Sequence, residues 1–343
     1  MALSVFDTLT LPNGSILPNR IAKAAMEENM AACGHLPGDS IINLYKQWSS
    51  GGAGLLITGN VMIDHSAMTG PGGIVLEAET DLAPFKKWAK AGTQHGTHMW
   101  MQINHPGRQV FAAMGGKVLS PSDIALDMGK HSKLFGQPTP MTEDDIQELI
   151  QRFAKTASRA IEAGFNGVEI HAAHGYLLSQ FLSPLTNHRT DQWGGSLDNR
   201  ARLLYEVVKA VKAVLPKEAA IAVKLNSADF QRGGFEQADA IEVVKVLNEG
   251  VDMVGIGRAL AFAPDLPNQW KGNPSAKASL PNVSWKDKTL SAMATMAITK
   301  RQLKRMGKGL NPKLNSSPLF SLIQDQIHLK KLTKVYRNRY SVS

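Results

Sequence analysis

The chain has 343 residues, 43% of them hydrophobic and 20% charged, with a single cysteine, Cys33, and a formal net charge of +9. That gives room for one large α/β domain or two ordinary ones. It excludes an intrachain disulfide and a cysteine-rich metal site, and it fits a reducing, cytoplasmic setting. The charge is lopsided: from Lys300 to Ser343 there are eleven Lys/Arg and one acid, Asp325, so this tail carries +10 and the first 299 residues about −1. A basic tail can reach nucleic acid or anionic lipid. With few aromatics and no nucleic-acid motif it reads as a solvated, partly helical extension, and no nucleic-acid partner is expected. No basic-then-apolar leader opens the sequence, and no run approaches the ~18 apolar residues of a membrane span.

Along the chain, apolar strand-like runs alternate with helical patterns, which predicts parallel strands joined by crossover helices. Leu9 to Ile16 centres on Asn13-Gly14, a hairpin turn signal. Strand-like runs follow at Arg20–Met26, Gly54–Gly59, His98–Ile103, Gly167–His171, Ala220–Leu225 and Val251–Ile256. Thr142 and Asp145 mark a helix start, after which Ile146, Leu149, Ile150, Phe153 and Ala157 recur at helical spacing until Gly164. Ser196 predicts a cap for a helix through Val214, and Ala238–Glu249 reads as a helix closed by Gly250. Pro106–Met141 shows no period and holds five glycines and four prolines, the signature of a long functional loop. Prolines 264, 267, 274 and 281 break the pattern after Ala263. The expected division is a barrel domain over residues 1–268 and a basic extension over 269–343.

Ligands of parallel α/β folds gather at the carboxyl ends of the strands. Those ends hold Ala25-Met26-Glu27, Thr58-Gly59-Asn60, Gln102 to His105, His171 to Tyr176, Lys224 to Asn226 and Gly255 to Arg258. Amide, imidazole, phenol and cationic groups thus converge on one rim. Two histidines three apart at a strand end, with no cysteine partners, do not make a zinc site, and no metal is expected.

The segment His171-Ala-Ala-His-Gly-Tyr-Leu-Leu-Ser-Gln-Phe-Leu-Ser-Pro184 is followed by Asn187, Arg189, Asp191, Gly194-Gly195-Ser196 and Asn199-Arg200. It resembles the signature of the Old Yellow Enzyme / NADH:flavin oxidoreductase family. Asn19-Arg20-Ile21, Ile57 to Asn60, Gln102 to Arg108 and Val223 to Asn226 resemble it in the same order. The resemblance implies a TIM-type (β/α) barrel with FMN in its mouth. It implies NADH or NADPH as co-substrate and hydride delivery to the alkene of an α,β-unsaturated carbonyl compound.

Carried over by position, the resemblance assigns Gln102 to the flavin's pyrimidine edge, where an amide supplies both donor and acceptor. Lys224 stands where most members carry arginine beside N1 and O2, keeping the charge but losing the fork. His171 and His174 match the pair that binds the substrate carbonyl oxygen, and Tyr176 the proton donor to the α-carbon. Ala25 and Met26 would contact the ring, and Gly59 would let its edge approach. Glu27 departs from the usual threonine near O4 and would lower the flavin potential. Gly255-Ile-Gly-Arg258 lacks the third glycine of a dinucleotide fingerprint. Gly257 and Arg258 fit a strand end that binds the FMN phosphate.

The family has eight strands, and this sequence shows six. The helix before Gly250 runs directly into what resembles the last strand, so the sixth and seventh units are missing at the Glu249–Gly250 junction. At ~30 residues per unit, that is on the order of 60 residues. The deletion leaves unpaired edges or forces a narrower barrel, and it predicts weak FMN binding. Two readings stay open: an active ene-reductase, which could be a homo-oligomer, and a degenerate, non-catalytic remnant or interaction protein. A dienoyl-CoA reductase shares the barrel but needs an iron–sulfur cluster, which one cysteine cannot hold.

Overall fold

The apolar runs pair side by side in one direction. The computed structural model describes residues 4–340 apart from positions 230, 248–253, 257 and 274. Its core strands are β1 (Ile21–Lys23), β2 (Leu55–Ile57), β3 (His98–Asn104), β4 (Gly167–Ala172), β5 (Ala220–Leu225) and β6 (Val254–Ile256). They lie in the order β5-β4-β3-β2-β1-β6, and every neighbouring pair is parallel. Five consecutive barrel strands are thus flanked, across β1, by a sixth that comes from the far end of the barrel sequence.

Among the described residues, β5 and β6 each pair on one side only, so the barrel is incomplete. Of the two structural outcomes of a deletion, the chain takes unpaired edges, not a narrowed barrel. Exposure follows: in β5 only Ala220 is buried. The Glu249–Gly250 junction and the expected helix stop at Gly250 lie outside the described residues.

Alternation along the strands separates two faces. Leu56, Met101, Ile103, Val168 and Ile170 face outward into the main core beneath the helices. Ala22, Leu55, Ile57, Trp100 and Ala220 face inward, where they meet Leu9 and Leu17. Those two leucines belong to the hairpin Leu9–Thr10/Ile16–Leu17, whose register pairs Leu9 with Leu17 around the Asn13-Gly14 turn. The hairpin therefore floors the barrel.

Two helices begin as their caps predict. In α3 (Glu143–Glu162) the Asp145 N–H donates to Thr142 Oγ1 at 3.2 Å, and the Thr142 N–H donates to Asp145 Oδ2 at 2.8 Å. In α5 (Leu197–Val214) the Asn199 N–H donates to Ser196 Oγ at 3.3 Å. The remaining crossover helices are α1 (Asp39–Ser49), α2 (Ala83–Gly92) and α6 (Gln237–Leu247), with the short α4 (Leu177–Leu182) after β4.

The tail is helical, as expected, but it is not wholly solvated. It forms α7 (Leu266–Gly272), α8 (Lys288–Gly307) and α9 (Pro318–Tyr340). Helix α8 packs against α1, and its Ile298, Leu303 and Met306 join the main core. A side chain at Gly307 would collide with the Ser40 carbonyl, so this close approach requires glycine. Helix α9 is fastened at its C-terminal end. Tyr336 Oη donates to the His65 carbonyl at 2.7 Å, and the Tyr340 ring stacks on His65 with centroids 4.5 Å apart.

A buried ion pair joins the first strands to α1. Lys23 points outward from β1 and is wholly buried. Its Nζ donates to the Ile57 carbonyl at 2.5 Å and to Tyr45 Oη at 3.1 Å, lies 3.9 Å from Glu28 Oε1, and sits 4.4 Å from the Trp48 ring centroid. Glu28 Oε1 accepts from Tyr45 Oη at 2.5 Å and from the Gly59 N–H at 3.0 Å. Burial pulls Lys23 down to about 8, against the opposing pull of Glu28, and burial pushes the Glu28 carboxyl up. Removing one partner of such a pair leaves the other charge buried and uncompensated, at a cost of about 3–5 kcal/mol. Lys23→Met is therefore expected to lower stability by that amount in denaturant titrations. A midpoint equal to the parent's would show that the pair does not hold this corner.

Candidate active site

Register in the parallel ladder brings the polar residues together. Glu169 on β4 lies opposite Gln102 on β3, and His171 lies opposite Lys224 on β5. Gln102 Nε2 donates to Glu169 Oε1 at 2.5 Å, and Lys224 Nζ stands 3.5 Å from the same oxygen. One carboxylate thus grips both the amide and the cation inside the barrel. The Gln102 backbone N–H donates to Thr58 Oγ1 at 2.9 Å, fixing this level of β3 to the end of β2.

Above this level sit three rings. His171 is the last but one residue of β4, and Tyr176 is the residue immediately before α4. The His171 ring meets Tyr176 edge-on at 4.9 Å and His174 edge-on at 5.1 Å. His174 has a left-handed backbone, φ 59°, which costs a non-glycine residue about 1–3 kcal/mol. Two bonds hold it there: its N–H donates to Asn226 Oδ1 at 3.0 Å, and its carbonyl accepts from Gln109 Nε2 at 2.8 Å.

Protonation follows from these surroundings. Burial holds His171 well below the ordinary imidazole range, and the nearby His174 and Lys224 add to the effect. His174 is lowered by burial and by Lys224. Burial pushes the Tyr176 phenol up, and the charge of Glu27 pushes it further. Near neutral pH the rim therefore offers two uncharged imidazoles and a protonated phenol. The Ala173 N–H donates to His171 Nδ1 at 3.2 Å. Accepting there leaves the imidazole proton on Nε2, so that nitrogen is the donor.

The other expected residues are placed as follows. Ala25 packs on the inner cluster around Trp100, and Met26 on the main core. Glu27 Oε1 accepts from Thr69 Oγ1 at 2.5 Å. At Gly59 the space a side chain would take is filled by the Glu28 carboxylate and the Met26 carbonyl, so the need for glycine visible in the fold is internal. Gly257 lies outside the described residues. Arg258 opens the short 3-10 turn Arg258–Ala261, and its side chain lies outside what is described.

Three residues that the sequence did not single out belong to this region, Glu28, Thr69 and Glu169, and Asn104, placed by the sequence at a strand end without a role, lies here too. Asn104 shares a strand face with Gln102 and Trp100 by alternation. It is fully buried, and neither its amide nitrogen nor its oxygen has a partner. Buried polar atoms without partners are costly, and this amide keeps both its donor and its acceptor capacity unused.

Much of the long sequence signature is architectural. Asn187 Nδ2 donates to the carbonyls of Phe181 and Trp193, both at 2.8 Å. Arg189 Nη1 donates to the Met141 carbonyl at 2.6 Å, and Arg200 Nη1 donates to the Leu182 carbonyl. These bonds close the segment after α4 against the long loop and α5. Elsewhere Asp64, His65 and Glu77 cluster, but Arg152 already stands 3.7 Å from Asp64 and 3.4 Å from Glu77. That cluster includes none of the rim residues.

The His171 assignment has a direct readout. Nitrogen-15 NMR should find its proton on Nε2 and no titration between pH 8 and the ordinary histidine value near 6.5. The sign follows from the lowered pKa: the neutral form persists as pH falls through the range where a free imidazole would charge. Protonation with a midpoint near 6.5 would contradict the geometry.

Comparison with known proteins agrees with this arrangement. Residues 4–278 match the model of the NADH:flavin oxidoreductase / NADH oxidase family. The chain is 37% identical to the NADH-dependent flavin oxidoreductase iliE of Hypocrea jecorina over 290 residues, covering 79% of this chain and 72% of that protein. It is 36% identical to iccE of Talaromyces variabilis, described in the same words, over 77% of this chain and 68% of that one. Among solved structures, the old yellow enzyme homologue from Zymomonas mobilis superposes with a TM-score of 0.72 at 25% identity, over 81% of this chain and 95% of the other. With a floor hairpin, an incomplete parallel barrel and one rim of amide, imidazole and phenol groups, this chain belongs to the NADH:flavin oxidoreductase / Old Yellow Enzyme family.

Proposed function

We propose that the chain is an FMN-dependent NAD(P)H oxidoreductase of the ene-reductase type, acting on an α,β-unsaturated carbonyl compound. The observation that carries this reading is the stacking of two levels at one barrel end. Gln102 and Glu169 form the lower level; His171 and Lys224 form the upper one with His174 and Tyr176, and the Lys224 ammonium reaches back to Glu169.

The residues present fit the cofactor. The unpartnered Asn104 amide and the neighbouring Gln102 amide offer donors and acceptors of the kind a flavin's pyrimidine ring requires. Lys224 would supply a cation to the anionic side of the flavin, and Glu169 positions both Lys224 and Gln102. Ala25, Met26, Glu27 and Gly59 would border the ring, and Gly257 and Arg258 would take its phosphate. When bound, FMN supplies the hydride relay from NADH or NADPH to the alkene.

The remaining work falls to the rim. The Nε2–H of His171, with His174, binds the substrate carbonyl oxygen and so stabilises charge developing on it. Tyr176 holds its proton at neutral pH and delivers it to the α-carbon, and water restores it.

A second reading, a non-catalytic remnant, is favoured by the open sheet. Lys224 is 22% exposed on a strand paired on one side only. Water there screens its charge, which predicts weaker FMN binding than a closed barrel gives.

One titration separates the readings. Adding FMN to folded chain should produce a flavin spectrum perturbed from that of free FMN. The loaded protein should then oxidise NADH or NADPH in the presence of 2-cyclohexenone. Tyr176→Phe should take up flavin normally and lose about 10²–10⁴-fold in alkene reduction. Folded material that stays colourless in excess FMN would select the remnant. Full alkene turnover by the phenylalanine variant would remove Tyr176 from the mechanism.

A further inference from the structure

The basic tail is not used by the chemistry above. Its outer helix nevertheless has a defined surface. Leu319, Phe320, Ile323 and Ile327 are 59%, 49%, 48% and 53% exposed, although they are large and apolar. Leu319, Ile323 and Ile327 follow at four-residue intervals, which puts them in one stripe, with Phe320 beside it. Continuing the same spacing leads to Lys331 and then Val335, with Lys330 and Lys334 beside them, all four exposed. The solvent face of α9 is thus apolar in its first half and mainly cationic in its second, where Val335 is also exposed.

Acid is kept off this face. Between Lys288 and Tyr340 the single acidic residue is Asp325. It turns toward α8, where its Oδ1 lies 4.0 Å from Lys304. The inward side of α9 is held by Tyr336 and Tyr340 on the loops after β1 and β2. The outward side is therefore fixed in direction by the fold.

We propose that the outer face of α9 is a docking surface for an anionic phospholipid bilayer. The complementarity is double. Lysines attract anionic headgroups, and an adjacent patch of leucine, isoleucine and phenylalanine enters the headgroup–acyl boundary. A solvated helix needs no such patch, and a polyanion such as RNA would match only the lysines. The helix lies on the bilayer and does not cross it: no helix among the described residues is long and apolar enough to span a membrane.

The test uses the full chain and sedimentation with vesicles of phosphatidylcholine, with and without phosphatidylserine. Binding is expected only with phosphatidylserine and should weaken as salt shortens the Debye length from ~10 Å at 0.1 M to ~3 Å at 1 M. Leu319→Glu with Ile323→Glu should reduce binding by at least ~10-fold, as should Lys330→Glu with Lys334→Glu. All four positions are exposed, so thermal midpoints should match the parent. A Phe320→Trp chain gives an independent readout: its added fluorescence should be quenched by brominated acyl chains. Absence of vesicle binding by folded protein overturns the proposal. So does a chain that loses binding on lysine reversal but keeps it with both apolar positions changed, since that marks a general polyanion surface.

Discussion

The register of three parallel strands decides where the polar groups of this protein meet. With Glu169 opposite Gln102 and His171 opposite Lys224, the even spacing of a strand sends all four side chains to the inner face. Their neighbours Met101, Ile103, Val168 and Ile170 go outward to the helices. A slip of one residue would bury the charges among apolar side chains and turn the apolar set inward, which is why two-faced strands specify register strongly. Glu169 then gives that register an electrostatic lock, because its one oxygen is shared by an amide and an ammonium. The site is thus a consequence of strand pairing, and the rim residues inherit their position from it.

The same pairing explains what the shortened barrel keeps and what it gives up. The inner residues of β1 to β4 are walled on both sides by neighbouring strands, and the hairpin closes the floor. At β5 the wall ends. Its residues beyond Ala220 are only partly buried, and among them is Lys224, opposite His171. A charge at a solvent-lined edge acts through a higher effective dielectric than one enclosed on all sides. On the proposed reading, the open edge therefore bears first on FMN affinity and only secondarily on the histidine–tyrosine group, which belongs to the closed half.

How much of this could be read from the sequence depended on whether a residue's role is local. The caps at Thr142 and Ser196, the Asn13-Gly14 turn and β5 itself are set by neighbours within a few positions, and each stands where its pattern puts it. Glu28 and Glu169 escaped notice because a glutamate in a run of apolar residues carries no mark of burial. Only the ladder shows that Glu169 has Gln102 and Lys224 for partners, 67 and 55 positions away. Glu28 stands one residue from Glu27, yet it points to Tyr45 and Gly59 while Glu27 reaches Thr69. The tail misled for the opposite reason. Its charge suggested a wholly solvated segment, yet Ile298, Leu303 and Met306 supply a core face with so few apolar positions that composition concealed it.

The electrostatic pattern of the rim points in one direction. Burial lowers both histidines and raises Tyr176; Lys224 adds to the first effect and the Glu27 charge to the second. A cation on one side and a carboxylate on the other act through different partners, yet each favours the uncharged form of the ring it reaches. Neutral donors are suited to an oxygen that becomes negative only during reaction. A charged imidazole would grip an ion before and after the step and so stabilise both states alike. Burial strengthens the preference, since a dry imidazolium without a paired carboxylate is costly. On the proposed reading, in which Tyr176 gives the proton, the departure from the usual residue at position 27 therefore also bears on that step. With Glu27 in place, the Tyr176 proton is held more tightly, so its transfer gains less driving force while the fraction of phenol ready to give it is maximal.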